Sequence, residues 1–512
     1  MLGPLFLLIP ILLPIAGGMA MLIRPIRAEK QRRIWCEFIS CVTSVCVWAA
    51  VLFAERDSVT VYSFTRGFAV NFRVDGMASL FALMISIMWP LVFLYAFDYM
   101  KGDENRNRFY SFFLMTYGVT LGVAFASDMT TMYLFFEMLT LVTIPLVAHY
   151  GNHDSMYAGR LYSAYTIGGA ALGLMTVVLT TLHGTTGTFE YGGSIGGAYD
   201  PGMMQLAFVL GFLGFGAKAA VFPLHEWLPT ASVAPTPVTA LLHAVAVVNS
   251  GVFAVMRMTY YVYGVDFLKG TPAQALCLTL SIFSLLFGAA QAIRERHFKR
   301  RLAYSTMSNL SYMLLGAMTM TPQGLKAGLA HMLFHGIVKI CLFMCAGAFM
   351  KQTRRSYIYE INGVGRRMPA NFTTYTLGAL SLTGIPLFCG FVSKWQLLRA
   401  CLGGAQEAAG IKAAGAAQAA GNWVSFILPE LMYAGTAALI ISAFMCAIYT
   451  ISISVRAFFP MDAKDLYKDS NVTDAGPLTR IPIGVFTAAN IIFGVFPGPI
   501  LAILTAIGEG RL

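Results

Sequence analysis

The feature that most constrains this chain is a succession of apolar runs, each about 18 to 25 residues long, along its whole length. As an α-helix rising about 1.5 Å per residue, each run crosses about 30 Å of hydrocarbon. The composition agrees, because 57% of the 512 residues are hydrophobic and only 12% are charged, too few to cover a soluble surface. The sequence therefore predicts an all-α polytopic membrane protein without a sizeable soluble domain.

About fourteen transmembrane helices are predicted, and we number them spans 1 to 14. No cationic region precedes span 1 and no small-residue cleavage pattern follows it, so we expect a retained helix rather than a signal peptide. The spans are 2–23, 34–54, 78–98, 109–127, 130–149, 161–182, 205–225, 237–260, 275–293, 302–320, 326–350, 373–398, 426–455 and 481–504.

The spans divide into four predicted segments. These are 1–108 with spans 1–3, 109–260 with spans 4–8, 275–455 with spans 9–13, and 481–512 with span 14. Because two consecutive units of five spans start on opposite faces of the membrane, spans 4–8 and 9–13 are predicted to form an inverted repeat, as in transporters.

Helix-breaking residues fall in corresponding spans of the two units. Pro223 and Pro229 interrupt span 7, and Gly384, Pro386 and Gly390 interrupt span 12. Backbone groups freed by such breaks are tolerated in a membrane only where protein or water satisfies them. Paired breaks are therefore a pointer to a translocation site.

The basic residues are concentrated in short loops after spans 1, 9 and 11. Although the net charge is +11, this distribution is typical of membrane insertion, and we expect no nucleic-acid partner. The residues are Arg24, Arg27, Lys30, Arg32, Arg33, Arg294, Arg296, Lys299, Arg300, Arg301, Lys351, Arg354, Arg355, Arg366 and Arg367. By the positive-inside rule, both termini face outward from the cell's inner (cytoplasmic) membrane.

No motif in the chain indicates a metal or cofactor. The nine cysteines include no CxxC pair, and those at 36, 41, 46, 341 and 345 lie in apolar runs, so buried small side chains are the simpler interpretation. Two outer loops are predicted, 183–202 and 401–421. The first is glycine-rich but lacks the GK[ST] of a phosphate-binding loop, and we interpret it as a flexible turn.

Several ionisable residues stand inside the spans, where each costs about 2.5–3.5 kcal/mol on insertion scales. Glu137 lies in span 5, Lys218 in span 7, His243 in span 8 and Lys394 in span 12. One explanation is that they hydrogen-bond neighbouring helices. The other is an ion path, which suits Lys218 better because a buried ammonium needs a carboxylate partner. Glu137 is that partner by elimination.

Span 11 carries His331, His335 and Lys339 at spacings of four, which places all three on one helix face. Histidine titrates near neutrality and burial favours the neutral form of lysine, so such a column can relay protons. For either histidine alone, bonding to a neighbouring helix explains the residue equally well. Span 10 could add polar contacts or hold water through Ser305, Ser308, Asn309 and Tyr312.

Three stretches resemble motifs of one family. They are KAAVFPLHEWLPTASVAPTPVTALLHAVAVVNSGVFAVMR (218–257), KRRLAYSTMSNLSYM (299–313) and TGIPLFCGFVSKW (383–395). The family comprises the antiporter-like membrane subunits of respiratory complex I, energy-converting membrane-bound hydrogenases and Mrp-type sodium/proton antiporters. The resemblance implies fourteen helices in two inverted five-helix units, with helices 7 and 12 broken.

The resemblance also implies ion-translocating roles for Glu137, Lys218, His243, His331, His335, Lys339 and Lys394. Lys394 matches a position that holds lysine or glutamate in different members, so glutamate is expected to be tolerated there better than alanine. Asn249 stands where many members have lysine. Since its amide does not titrate, we expect His243 to carry that step and Asn249→Ala to have a mild effect.

The function implied is ion translocation by one component of a redox-driven complex, with an energy-converting hydrogenase as the first choice and complex I as the second. We expect membrane partners that include antiporter-like paralogues, and a redox arm, since no cluster, flavin or quinone motif occurs here. No cofactor is predicted in this chain. The alternatives are a component of a Mrp-type antiporter without a redox partner and a purely structural membrane component. H⁺ and Na⁺ are both open as the transported ion.

Overall fold

The computed structural model describes residues 5–54, 56–65, 68–184, 187–196, 199–413, 423–460 and 472–512. Ten described helical stretches, with Thr236–Tyr263 counted as one, are long and apolar enough to cross a membrane, so the predicted multi-pass helical architecture is confirmed at this level. A two-stranded antiparallel hairpin, β1 (Val59–Thr65) and β2 (Phe68–Phe72), follows the second helix and was not predicted.

The α-helices follow one another along the whole chain. In chain order they are α1 (Leu5–Ile23), α2 (Glu29–Phe53), α3 (Gly76–Tyr99), α4 (Arg106–Phe125), α5 (Met129–Val147), α6 (His153–His183), α7 (Pro201–Lys218), α8 (Trp227–Thr230), α9 (Thr236–Ala244), α10 (Val247–Arg257), α11 (Val265–Leu268), α12 (Pro272–Arg294), α13 (Phe298–Met318), α14 (Pro322–Thr353), α15 (Pro369–Thr383), α16 (Cys389–Ala413), α17 (Val424–Phe458), α18 (Pro477–Val495) and α19 (Gly498–Gly508). A π-helix, Met258–Tyr263, continues α10, and three short 3₁₀ turns occur at Ala231–Val233, Ile358–Ile361 and Val364–Arg366.

The chain forms two compact units. The first consists of Met1–Ala219, Val233–Phe267 and Gly510–Leu512. The second consists of Ala220–Ser232 and Leu268–Glu509.

Acidic side chains cap several helices of the first unit, among them α3 and α5. Asp75 accepts the Ala78 amide at the start of α3 (2.9 Å), and Asp128 accepts the Thr131 amide at the start of α5 (2.7 Å). Such caps satisfy N–H groups that have no partner within the helix. These residues therefore fix where α3 and α5 begin.

Glycines allow close packing between helices in the first unit. On α6, Gly169 and Gly173 lie four residues apart, and Gly214 of α7 packs against them. A Cβ at Gly214 would overlap the Gly173 amide nitrogen and lie 2.7 Å from the Gly169 carbonyl oxygen. Small residues at this spacing bring helix backbones together where lipid gives no hydrophobic driving force.

The structure confirms the two predicted helix breaks but moves one of them. Span 12 divides into α15 and α16 around Gly384 and Pro386, whereas Gly390 lies in the first turn of α16. In span 7, α7 already ends at Lys218, so the prediction of helix to residue 225 is wrong. The reason is that Pro223 cannot donate a helical hydrogen bond and disfavours helical backbone at the residue before it.

Both predicted outer loops are also revised. Cys401–Ala413 belongs to α16 rather than to a loop, because its alanine, glutamine, glutamate and lysine residues favour helix and outweigh its glycines. Residues 414–421 lie outside the described residues. The segment between α6 and α7 is a loop, but it is not the free turn expected. Glu190, Gly192 and Ser194 donate amide hydrogen bonds to carbonyls of the π-helix that follows α10.

Candidate functional site

Lys218 is the last residue of α7 and is completely buried in the first unit. Its ammonium donates a hydrogen bond to the carbonyl of Phe136 on α5 and lies 3.6 Å from the centroid of the Phe136 ring. A carbonyl and an aromatic face are both favourable surroundings for a cation. Lys218 therefore sits where α7 ends, held by the main chain of α5.

Glu137 follows Phe136 directly, so the predicted pair is brought to one place. The Glu137 carboxylate interacts electrostatically with Lys218, yet among the described residues no ion pair within 4.0 Å joins them. One carboxylate oxygen of the half-buried Glu137 is itself buried without a hydrogen-bond partner in the described structure. The ammonium thus has two neighbouring sites, the Phe136 carbonyl it occupies and the Glu137 carboxylate.

His243 and Asn249 lie on either side of a second break in the first unit. Span 8 is not one helix, because α9 ends at Ala244 and α10 begins at Val247. His243 occupies the last turn of α9 and Asn249 the first turn of α10, and both side chains are completely buried. The Asn249 amide donates to the Ala244 carbonyl at 2.7 Å. Neither proline nor glycine marks this break, which explains why it was not predicted.

The column on α14 is present in the second unit. His331 and His335 have ring centroids 6.0 Å apart, and Lys339 follows one turn later. All three side chains are buried. The Lys339 ammonium donates to the Leu302 carbonyl (2.9 Å) and to the Ser305 hydroxyl (2.7 Å) of α13. Ser305 therefore contacts the column as predicted, whereas Ser308 pairs with Ser442 of α17 at 3.1 Å.

His331 is held on both ring nitrogens. Its Nε2 pairs with the amide oxygen of Asn309 (3.1 Å), whose own amide nitrogen donates to the Ser305 carbonyl. Its Nδ1 pairs with the Ser393 hydroxyl (2.9 Å), and that hydroxyl also lies 3.2 Å from the Gly390 carbonyl. The Ser393 hydroxyl can donate one hydrogen bond. It donates to Nδ1 when His331 is neutral, and to the Gly390 carbonyl when Nδ1 is protonated. The site thus accommodates both protonation states of the imidazole.

Lys394 lies beside the α15–α16 break and is half-buried. Its ammonium donates to two carbonyls of the last turn of α15, Leu382 at 2.7 Å and Thr383 at 3.2 Å. The last carbonyls of a helix lack partners within it and carry the negative end of the helix dipole. The Tyr312 ring connects Lys394 to the column, since its centroid lies 5.2 Å from the ammonium and 5.3 Å from the His331 ring.

The seven predicted residues therefore divide between the two units, and we call the members in each unit the first and the second cluster. Glu137, Lys218 and His243 belong to the first unit, and the other four belong to the second. Sequence reasoning missed Phe136, whose carbonyl and ring hold Lys218. It also missed Ser393, although this residue directly precedes Lys394 in a motif that was recognised.

A buried ion pair in the first unit was missed as well. Arg257, at the end of α10, donates two hydrogen bonds to Asp75 at 2.6 and 2.5 Å. Its guanidinium also lies 4.6 Å from the centroid of the Tyr261 ring. Arg257 could have been noticed, since it is a charged residue near the end of the apolar span 8. Its partner Asp75 could not be predicted, because it lies 182 residues away in the chain.

Comparison with known proteins places these motifs in a family. Residues 126–413 match the family described as NADH:quinone oxidoreductase/Mrp antiporter, TM, and residues 63–110 match the one described as NADH-ubiquinone oxidoreductase (complex I), chain 5 N-terminus. The chain is 33% identical over 356 residues to a Na(+)/H(+) antiporter subunit of Alkalihalophilus pseudofirmus, covering 65% of this chain and 43% of that protein. It is 28% identical over 419 residues to the chloroplastic NAD(P)H-quinone oxidoreductase subunit 5 of Lemna minor, covering 76% and 55%.

The chain spans about half the length of these curated relatives. Its fold is similar to that of a chain in the membrane-bound sulfane sulfur reductase, an archaeal respiratory membrane complex, with a TM-score of 0.79. That likeness covers 99% of this chain and 97% of the other at 21% identity. Because the first family match covers more than half of the residues, this chain belongs to the NADH:quinone oxidoreductase/Mrp antiporter family of membrane proteins.

Proposed function

We propose that this chain is an ion-translocating, antiporter-like subunit of a multisubunit membrane complex, and that it moves protons or sodium ions through its buried lysines, histidines and glutamate. The observation that carries the proposal is the position of Lys218 and Lys394. Each ammonium lies beside the break of an apolar helix and is bound by main-chain carbonyls. Burying a charge in a membrane is costly, so charged residues that are found there commonly mark an ion path.

In the first cluster, Lys218 acts as the switchable carrier. Pairing with the Glu137 carboxylate favours the ammonium, and loss of that pairing favours the neutral amine in the low dielectric of the protein interior. The Phe136 carbonyl and ring keep the side chain in place while the carboxylate is apart. His243 accepts or supplies the next proton, because Asn249 does not titrate.

In the second cluster, the column His331, His335 and Lys339 relays the proton, and Lys394 passes it to the other side. The Ser393 hydroxyl supports this role because it can serve His331 in either protonation state.

The finer architecture is part of the proposal. We infer fourteen spans, with spans 4–8 and 9–13 as inverted five-helix repeats, and both termini facing outward from the cell's inner membrane. The breaks in spans 7 and 12 support this division, since these two spans occupy corresponding positions in the two repeats. Labelling of single cysteines placed in the loops, from each side of sealed vesicles, tests the orientation.

We infer a redox-driven complex, of the energy-converting hydrogenase or complex I type, as the assembly in which the chain works. The relationship to an NAD(P)H-quinone oxidoreductase subunit supports it. The second candidate is a Mrp-type antiporter without a redox partner, which the 33% identity to a sodium/proton antiporter component favours. Mass spectrometry of the purified complex separates them, because it identifies either redox subunits or small antiporter subunits beside antiporter-like paralogues.

Ion translocation is tested in inverted vesicles that contain the assembled complex. We expect Glu137→Gln and Lys218→Ala to assemble and to lose ion transport. Lys269→Ala is the matched control, because this lysine forms a surface ion pair with Glu407 outside the clusters. Unchanged transport in both Glu137→Gln and Lys218→Ala would refute the proposal.

A further inference from the structure

The break between α9 and α10 lies in a completely enclosed part of the first unit. Every residue from 234 to 264 is buried. At the break, Val245 has φ −135° and ψ −61°, and the Ala246 amide bonds to the Leu241 carbonyl, five residues back instead of four. The break therefore disturbs the regular α-helical hydrogen bonding at a place that bulk water does not reach.

Asn249 supplies a donor at this break. In an uninterrupted helix the Ala244 carbonyl would accept the amide four residues later, but here it accepts the side-chain amide of Asn249 at 2.7 Å. Leaving a buried carbonyl without a partner costs about 1–3 kcal/mol. Asn249 thus stabilises the broken form of the helix over forms in which this carbonyl has no donor.

The neighbours of the break are residues of the first cluster. Ala244 follows His243 directly, so the bond from Asn249 fixes the end of the helix that carries this imidazole. Two residues after Asn249, Gly251 packs against the end of α7, where a Cβ would lie 2.7 Å from the Ala219 amide nitrogen and 2.8 Å from the Phe215 carbonyl oxygen. The turn containing Asn249 therefore joins the helix end at His243 to the helix end at Lys218.

We propose that Asn249 is a positioning residue, which holds the α9–α10 break through the Ala244 carbonyl and so sets the placement of His243 and Lys218. This inference rests on the proposed ion translocation. A lysine at position 249 would keep a donor for the same carbonyl, as Lys394 does for the carbonyls that end α15. Asparagine retains the bond without a titratable group. We accordingly expect Asn249→Ala to reduce transport strongly, in contrast to the mild effect expected from the sequence.

The test compares Asn249→Leu, which removes the donor at similar size, with Asn249→Lys, which restores one. Transport is measured in inverted vesicles, and assembly and thermal stability are measured on the purified complex. Asn371→Leu is the matched control, because the buried Asn371 amide also donates to a main-chain carbonyl, but that carbonyl belongs to Cys345 within the unbroken α14.

We expect Asn249→Leu to reduce transport about tenfold to a hundredfold, since a displacement of about 1 Å can have effects of that size. Asn249→Lys is expected to recover most of the transport, and Asn371→Leu to lower stability without changing transport. If Asn249→Leu does not assemble, recovery of both assembly and transport by Asn249→Lys supports the proposal, and failure of Asn249→Lys overturns it.

Lys218→Ala, measured in parallel, separates this inference from the proposed function. If Lys218→Ala stops transport while an assembled Asn249→Leu protein transports at the wild-type rate, the positioning role is wrong and ion translocation stands. If Lys218→Ala and Glu137→Gln both transport normally, the proposed function itself fails. Equal losses of transport in Asn249→Leu and Asn371→Leu would also overturn the positioning role.

Discussion

The family resemblance and the structure lead to different predictions for the substitution of Lys394 by glutamate. The family resemblance predicts that glutamate is tolerated at this position better than alanine. In the structure, however, the ammonium donates to the carbonyls of Leu382 and Thr383, which end α15. An ionised glutamate has no proton to donate and places negative charge against the negative end of the helix dipole. We therefore expect Lys394→Glu to be the worse substitution.

The magnitude follows from the two hydrogen bonds. A hydrogen bond to a charged group contributes about 1.5–3 kcal/mol, and water can replace part of this loss because Lys394 is half-buried. For Lys394→Met, which keeps the apolar stem, we expect the free energy of unfolding to fall by about 2–4 kcal/mol. Repulsion between a carboxylate and the helix end adds about 0.3–1 kcal/mol in Lys394→Glu.

The assay is unfolding of the purified protein in mixed micelles at pH 8, together with proton uptake into inverted vesicles. The expected order of stability is wild type, then Lys394→Met, then Lys394→Glu, with Lys394→Arg closest to the wild type because it keeps the donors. Lys269→Met is the control for loss of a surface lysine. A Lys394→Glu protein as stable and as active as the wild type would refute the reasoning.

Three further predictions concern packing, the relay and pH. Gly214→Ala should prevent correct assembly, because the added Cβ would overlap the main chain of α6. Gly168→Ala, with open space around its Cβ, should assemble normally, and size-exclusion chromatography measures assembly of both variants. Ser393→Ala should slow proton uptake without loss of assembly, because His331 loses its Nδ1 partner; an unchanged rate would contradict the relay. Burial and basic neighbours lower the pKa of His297 to about 4, so the unfolded chain binds more protons at mildly acidic pH and stability falls as pH decreases from about 6.5 towards 4. Thermal unfolding at pH 5 and 7.5 checks this, and His297→Asn, which keeps a capping side chain, should weaken that dependence.

The sequence alone determined the membrane character of the protein, because hydrophobic runs of this length have few alternatives to spanning helices. It also determined the residues worth attention. Ionisable groups within apolar runs, such as Lys218 and Lys339, stand out without any structure because their cost is high wherever the helix packs. The column on α14 followed from spacing alone, since helical periodicity is local.

Only the tertiary structure decided which partners these residues have. Lys218 donates to the Phe136 carbonyl, and Lys394 donates to the carbonyls that end α15. Main-chain carbonyls are the same in every residue, so no sequence pattern reveals which of them a side chain will reach. The α9–α10 break is hidden for a similar reason. Without proline or glycine, it depends on packing and on the single bond from Asn249 to Ala244, which exists only once the chain has folded.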